Sequence, residues 1–378
     1  MEEASSRTAL RSEGRHVLAI QDTTVVRSGG GGGLYLHAMI AVDAEDGAIL
    51  GPIHGQFLSR SEGKRGTQRQ RPIEEKESYR WLEGGSSAAQ VCASAAQVTV
   101  IADRESDIYE VFTRRPPSVE LVIRASKDRS LGDMSLFARI DGLPVSGHME
   151  LDLPARPGRK AYTAKLVLRF AKVELRRPRN GLYPGAPATI ALNLVDVREI
   201  DAPLGQAPIH WRLFTTHAVE DAVQAFAVAD LYRRRWAIEQ LFRTMKTQGF
   251  DIEGLRIEDE TPLCNLVMAT FIAAVIVQQL VHARDGENAP LRPVTDAFEQ
   301  EDLPLLQAFC AKLEGKTQKQ KNPHPPGSLA YAAWVCARLG GWNCYYGKPG
   351  PITMLNGWRH FQAARQGGAL LTATANEV

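Results

Sequence analysis

Two short apolar runs, HVLAIQDTT at 16–24 and QVTVIADRESDIYEVF at 97–112, each stop at an aspartate. A short apolar run bounded by turn residues reads as a buried strand. Asp22 and Asp103 then stand at the C-terminal ends of two strands. Neighbouring strands of one sheet would bring both side chains to the same edge. A carboxylate there, with no partner near it in sequence, is costly to hold unless it meets a cation. The fold must therefore offer a sheet edge where two acids and a positive charge converge.

The strands around them form a meander. HVLAIQDTT, LYLHAMIAVD (34–43) and AILGPIHGQFLSR are joined by the turn signals SGGGGG (28–33) and AEDG, which predicts three antiparallel strands. PIEEKESYRWLEGGSSAAQVC (72–92) reads as helical in its first half. Residues 119–210 show no long helical period. VELVIRAS, YTAKLVLRFAKVEL and ATIALNLVDVREI read as strands there, and HWRLFTT (210–216) as one more. Helices are predicted at 218–230, 230–247 and 261–283, with a last one in SLAYAAWVCARLGG. The expected division is a disordered tail at 1–15, a catalytic core in two parts at 16–118 and 211–285, a β-rich insertion at 119–210, a linker at 286–326 ending in the basic KTQKQKNPHPPG, and a helical C-terminal region at 327–378.

The stretch LYRRRWAIEQLFRTMKTQG (231–249) carries five positive residues and one acid between Arg233 and Lys246. At helical spacing Tyr232, Arg235, Glu239, Arg243 and Lys246 share one face. That face could be merely solvated, with i,i+4 pairs such as Arg235–Glu239 and Glu239–Arg243. It could instead hold a metal ion where a polyanion lies. Asp22 and Asp103 favour the second reading, because Glu239 arriving from a later helix makes three convergent hard oxygen ligands. Such a set suits Mg²⁺ or Mn²⁺ and not zinc. Two ions bridged by carboxylates can activate water and stabilise a leaving oxygen in phosphodiester cleavage, while Arg and Lys hold the phosphate charge. The order of elements is that of an RNase H-like core: an α/β fold with a mixed sheet flanked by helices, a large β-strand insertion and a small helical C-terminal region.

Composition excludes several other classes. The chain has 378 residues, 44% hydrophobic and 23% charged, as in an ordinary globular protein. Net charge is only +2, but residues 154–180 hold nine Lys/Arg against one Glu, a clustering that suits a phosphate backbone. Five cysteines form no CxxC and no Cys/His zinc spacing, and their odd number fits buried thiols in a reducing cytosol. The most apolar run, LVMATFIAAVIV at 266–277, reads as a buried core helix too short to span a bilayer. Asp43, Asp46, Glu105 and Asp107 read as turn or surface carboxylates, and His37 and His54 as strand residues.

Tyr232-x2-Arg235-x3-Glu239-x6-Lys246 resembles the Tyr–Arg–Glu–Lys signature of bacterial cut-and-paste transposases of the insertion sequence four family. IQDTT resembles that family's first catalytic Asp motif and ADRESDIYE its second. EKES and Trp81 recur between them, and GSLAYAAWVCARLGGW (327–342) resembles the start of its C-terminal region. The resemblance runs from about residue 16 to 362. It implies that Asp22, Asp103 and Glu239 bind two Mg²⁺ or Mn²⁺ ions, and that Tyr232, Arg235 and Lys246 contact phosphates at the transposon end. It implies that Trp211 stacks on a base flipped out for hairpin formation. Arg104, Arg124, Lys127 and Arg243 fall in or beside DNA-contacting segments. The implied partners are double-stranded DNA, at both transposon ends and target, and a second copy of the chain on DNA; no membrane is implied, and the site of action is the bacterial cytoplasm at the nucleoid. The family also carries an N-terminal helical domain that reads the element's end, for which the 21 residues before Asp22 leave no room. Two rivals to an active transposase core are a non-catalytic DNA-binding or dimerising remnant and a stand-alone RNase H-like nuclease.

Overall fold

The computed structural model describes residues 1–29, 32–61, 71–155, 158–179, 185–286 and 291–375. The expected turn at 28–33 and the basic stretch 154–180 therefore lie partly outside the described residues, as does the start of the expected linker. The chain divides into two compact units: Ser12–Ala44 with Ile53–Ile238, and Met1–Arg11 with Glu45–Pro52 and Glu239–Val378.

Helix α1 (Glu2–Ser12) opens the chain, where a disordered tail was expected. Its Glu2 and Glu3 in the first turn and Arg11 in the last complement the helix dipole. Thr8 sends its hydroxyl to the Pro52 carbonyl at 2.9 Å, a long-range anchor that no local signal announces.

The first unit is built on a mixed sheet. The strands are β1 (His16–Gly29), β2 (Gly32–Asp43), β3 (Ile49–Ser61, of this unit from Ile53 onwards), β4 (Gln97–Ala102), β5 (Val119–Arg124), β6 (Gly147–Leu153), β7 (Tyr162–Arg176), β8 (Thr189–Ile200) and β9 (His210–Thr215). They stand in the order β3-β2-β1-β4-β5-β9-β8-β7-β6. The meander pairs β1 antiparallel to β2 from Val17↔Asp43 onwards, with an irregularity between Val25 and Arg27. β1, β4 and β5 run parallel, and β9 returns antiparallel to β5. Val17, Leu18, Ala19 and Ile20 are wholly buried, as a central strand with covered faces requires. The edge strand β6 alternates half-buried and exposed positions and carries His148, Glu150 and Asp152 outward or partly so, which discourages further pairing.

Residues 119–210 are β-rich, with one short helix, α4 (Leu136–Asp141), capped by Ser135. Their strands continue the sheet of the core. β5 is a core strand, and β6, β7 and β8 prolong the same sheet through β9.

Helices α2 (Arg80–Val91), α3 (Tyr109–Thr113) and α5 (Ala222–Arg233) also belong to this unit. The 72–92 segment inverts its expectation: its first half forms two 3-10 turns and its second half the helix. Gly84 and Gly85 weaken the helical reading, but Gly84 is needed, since a Cβ on it would meet the Gln21 amide and the Met39 methyl. Close approach of α2 to β1 overrides propensity here.

The second unit contains α6 (Trp236–Lys246) from Glu239 onwards, then α7 (Glu260–Ala283), α8 (Leu303–Leu313), α9 (Leu329–Leu339) and α10 (Pro351–Ala375). Val277, Leu280, Leu306, Val335, Leu355 and Phe361 belong to its core. α9 and α10 come close because a Cβ on Gly357 would fall on the Cys336 carbonyl. α8 lies inside the expected linker and buries Leu306 and Cys310. α7 is long and apolar enough by length and composition to cross a membrane, yet it packs its Val277, Leu280 and Ala283 into this core. Cys92, Cys310 and Cys336 are buried free thiols, and Cys264 and Cys344 are half-buried free thiols.

Candidate active site

Parallel pairing holds β1 and β4 in register from His16↔Gln97 to Ile20↔Ile101. Two residues further on stand Asp22, within β1, and Asp103, which directly follows β4 in extended conformation. They share a register level and, by the two-residue period of a strand, a face. On the opposite face of β1, Gln21 and Thr23 are tied together through His37: its Nδ1 lies 2.9 Å from the Thr23 hydroxyl and its Nε2 lies 3.2 Å from Gln21 Oε1. Burial, aided by Arg80 and His54, pushes His37 well below its ordinary range and keeps it neutral. His37 and His54 are strand residues, as read.

Burial lifts the Asp22 carboxyl above its ordinary range. Arg235 and the Thr23 N–H pull it back, and the nearby charge of Asp103 adds to the rise. Thr23 N–H donates to Asp22 Oδ1 at 2.7 Å, and Arg235 Nη1 donates to Asp22 Oδ2 at 3.0 Å. Asp103 Oδ1 accepts from the Arg104 N–H at 2.6 Å and caps the 3-10 turn Arg104–Ser106. Arg124 Nη1 stands 4.0 Å from the same oxygen, and its Nη2 is held by the His210 carbonyl at 2.9 Å.

Tyr232 and Trp211 complete the cluster. Tyr232 is only 3% exposed, and its buried hydroxyl has no hydrogen-bond partner among the described residues. Burial raises its phenol, with the charges of Arg235, Asp103 and Arg124 acting on it as well. The half-buried Trp211 meets the Tyr232 ring edge-on at 5.5 Å between centroids. Arg235 lies 5.9 Å over the other side of that environment, against the Tyr232 ring. Two acids, two arginines and two aromatics thus converge from β1, β4, β5, β9 and the end of α5.

The single helix expected over 230–247 is interrupted. α5 ends at Arg233, and Arg234 and Arg235 sit in a tight turn before α6. Arg234 N bonds Leu231 O, Arg235 N bonds Tyr232 O and Ala237 N bonds Arg234 O, all one residue shorter than the α pattern. Tyr232 and Arg235 therefore stand before α6, at the end of α5 and in the turn, and Glu239, Arg243 and Lys246 stand on α6. The three consecutive arginines divide at this point. Arg233 and Arg234 both turn to Asp230, while Arg235 turns to Asp22.

Glu239, Arg243 and Lys246 belong to the second unit. Glu239 lies in the first turn of α6, Arg243 is exposed, and Lys246 pairs with Glu253 at 2.7 Å. Arg104 and Lys127 are exposed on the loops that follow β4 and β5. The carboxylate pair offers the hard oxygens that Mg²⁺ or Mn²⁺ prefers, and it already neutralises part of its charge with Arg235. Among the described residues no three His, Cys, Asp or Glu side chains are grouped to hold a metal ion.

Some acids read as surface carboxylates are anchors instead. Asp43 is buried and pairs with Arg15 at 2.7 Å. Asp107 is fully buried. Its carboxylate accepts from the Ser126 N–H at 2.7 Å, the Ser126 hydroxyl at 3.1 Å and both terminal nitrogens of Arg129. It ties the turn after Asp103 to the loop that bears Lys127. No sequence spacing signals this pair, because its members are far apart and on different elements. Asp107→Ala should destabilise the protein by about 3–5 kcal/mol, since it leaves Arg129 buried without its counter-charge. Urea unfolding checks this, and a loss below about 1 kcal/mol would show the pair to be dispensable.

Compared with known families, residues 37–276 match the transposase DDE domain. The matched span exceeds half of the chain and takes in Asp103, Arg124, Trp211, Tyr232, Arg235, Glu239 and Lys246, while Asp22 precedes it. The RNase H-like mixed sheet is consistent with this family, and the family implies binding to DNA. The chain belongs to the transposase DDE domain family.

Proposed function

We propose that the chain is the catalytic core of a cut-and-paste transposase of the insertion sequence four group, with Asp22, Asp103 and Glu239 as ligands of two Mg²⁺ or Mn²⁺ ions. The observation that carries this is the register-matched aspartate pair with Arg235 as its counter-cation. Glu239 follows Arg235 by four residues and opens α6, which supports its role as third ligand. When bound, the ions supply Lewis-acid stabilisation and an activated water for in-line displacement at phosphorus.

The chain's own residues divide the remaining work. Arg235 neutralises Asp22, and it can serve a phosphate only by leaving that carboxylate. Arg124 stands beside Asp103, placed to meet negative charge that builds near it. Trp211 and Tyr232 offer flat surfaces to a base pulled from the duplex. Arg104, Lys127, Arg243 and Lys246 are cations for the flanking backbone. Lys246 has to exchange Glu253 for phosphate. Cleavage of one strand frees a 3′ hydroxyl, whose attack on the opposite strand leaves a hairpin. After reopening, the same hydroxyl joins target DNA. The enzyme acts on double-stranded DNA as a homodimer in the bacterial cytoplasm.

One observation favours the rival reading of a non-catalytic remnant: the Arg235 guanidinium already fills Asp22. Thermal unfolding separates the two. A ligand at 100 times its dissociation constant stabilises by about 2.7 kcal/mol, so saturating Mn²⁺ should raise Tm of the wild type and leave Asp22→Asn unmoved. Equal responses of the two proteins would count for the remnant. Nicking of supercoiled plasmid in Mn²⁺, absent in chelator, tests the activity itself.

The acid limb of that activity follows from Asp22. Its folded carboxyl is raised, so it remains protonated to a higher pH than a free aspartate and has to ionise before it can bind a cation. Cleavage should fall as pH drops through this raised value. Arg235→Lys, which keeps the charge but loses the planar fork, should move the limb upward. A pH–rate profile of nicking identical in both proteins would refute the coupling.

A further inference from the structure

Two loops of the second unit are built with more care than their exposure explains. One is the basic segment Lys316–Lys321, and the other is the Trp342–Lys348 loop. Tyr345 is 46% exposed and Tyr346 82% exposed, a poor use of two large rings in a folded chain. Lys316, Lys319 and Lys321 are exposed and make no ion pair among the described residues.

The loops are held in place from below. Arg338 donates to the Trp342 carbonyl at 2.7 Å and to the Leu313 carbonyl at 2.9 Å, so it clasps the start of both. Thr317 and Gln320 form a capping box around the 3-10 turn Gln318–Gln320. Asn343 Oδ1 accepts from the Tyr345 and Tyr346 N–H groups at 3.0 and 3.3 Å. Between them Cys344 adopts φ 69°, a left-handed conformation that costs a non-glycine residue energy. Trp342 Nε1 closes the loop on the Gly347 carbonyl at 3.0 Å. The loops then meet: the Thr317 hydroxyl lies 2.8 Å from the Tyr345 hydroxyl, and Lys319 Nζ stands 5.9 Å from the Tyr345 ring. A strained, pre-ordered turn thus sets the Tyr345 ring beside Lys319, and Tyr346, Lys316 and Lys321 are exposed on the same two loops.

We propose that this surface binds single-stranded DNA. Exposed rings stack on unpaired bases of any sequence, and flanking lysines track the backbone. Duplex bases are already stacked on each other and leave the rings nothing to cover. Only the choice of DNA over RNA rests on the transposase reading. The surface would hold strands unpaired during cutting and joining.

The test uses the full chain in chelator, with a fluorescent 20-nucleotide single strand and its duplex. Tyr346→Ala should weaken single-strand binding about tenfold, from the 1–3 kcal/mol that stacking on one ring contributes. Tyr346→Phe should restore it, because the ring and not the hydroxyl does the binding. Replacing Lys316, Lys319 and Lys321 together with Ala should lower the single-strand salt slope by about 2, at roughly 0.7 per contact. Iododeoxyuridine in the strand should photo-crosslink to the 342–348 peptide. Unchanged binding by Tyr346→Ala, an unchanged salt slope, or crosslinks only elsewhere would each overturn the proposal. Plasmid nicking is measured in parallel: its loss in the wild type would count against the transposase reading, whereas unaltered single-strand binding by the variants counts against this surface alone.

Discussion

Asp103→Asn should lose DNA cleavage by at least about 10³-fold while keeping the fold and the grip on DNA. The loss follows from the several kcal/mol of charge stabilisation that a bound divalent ion supplies and that a neutral amide cannot anchor. The fold should survive because Asp103 has a second, structural task that Asn performs as well. Its side chain caps the turn Arg104–Ser106 by accepting from the Arg104 N–H, and Asn and Asp are equally good caps. Arg124, at 4.0 Å, is held independently by the His210 carbonyl. Binding to duplex DNA should be unchanged or slightly tighter, since one negative charge facing phosphate is gone. Nicking in Mn²⁺ and gel-shift titration on the same preparation check both halves. A variant that cuts as well as the wild type would remove Asp103 from the chemistry, and one that no longer folds would make it a structural cap first.

Glu239→Gln carries the second large effect, and it separates two readings of α6. As a solvated partner of nearby arginines, Glu239 would matter by no more than about 0.5 kcal/mol of stability and would leave cleavage alone. As third metal ligand its loss abolishes cleavage with DNA still bound. Lys246→Ala gives the complementary result. Each phosphate contact contributes about 0.9 to the slope of log affinity against log salt on duplex DNA, so the slope should fall by roughly that amount. The Lys246–Glu253 pair, at 2.7 Å, sharpens this: Glu253→Gln frees the lysine and should tighten DNA binding. Unchanged cleavage in Glu239→Gln together with an unchanged slope in Lys246→Ala would return the helix to the solvated reading.

The legible parts of this chain were those that local pattern controls. The apolar runs ending at Asp22 and Asp103 could be read because a buried strand leaves a period and a stop, and parallel pairing then places both acids at one level. The β-rich stretch after residue 119 could be read for the same reason, but its continuity with the core sheet could not, since pairing of β5 with β9 joins residues some ninety apart in sequence. The break at Arg234 and Arg235 was hidden because arginine is a good helix former, and the contact that accompanies it, Arg235 with Asp22, is long-range. α2 was hidden by two glycines, of which Gly84 packs closely against Gln21. Asp107 looked like a turn residue because its partners, Ser126 and Arg129, are nearly twenty residues away or more. Long-range ion pairs leave no mark in a single sequence.

The central claim is that Asp22, Asp103 and Glu239 jointly hold the ions that cut DNA. Anomalous diffraction from crystals of the protein grown with Mn²⁺ tests it most directly. Manganese should appear at the ends of β1 and β4, with oxygens of all three carboxylates at about 2.0–2.6 Å from an ion and Arg235 displaced from Asp22. Manganese bound elsewhere, with the Arg235–Asp22 pair intact and Glu239 turned away from both aspartates, would contradict it.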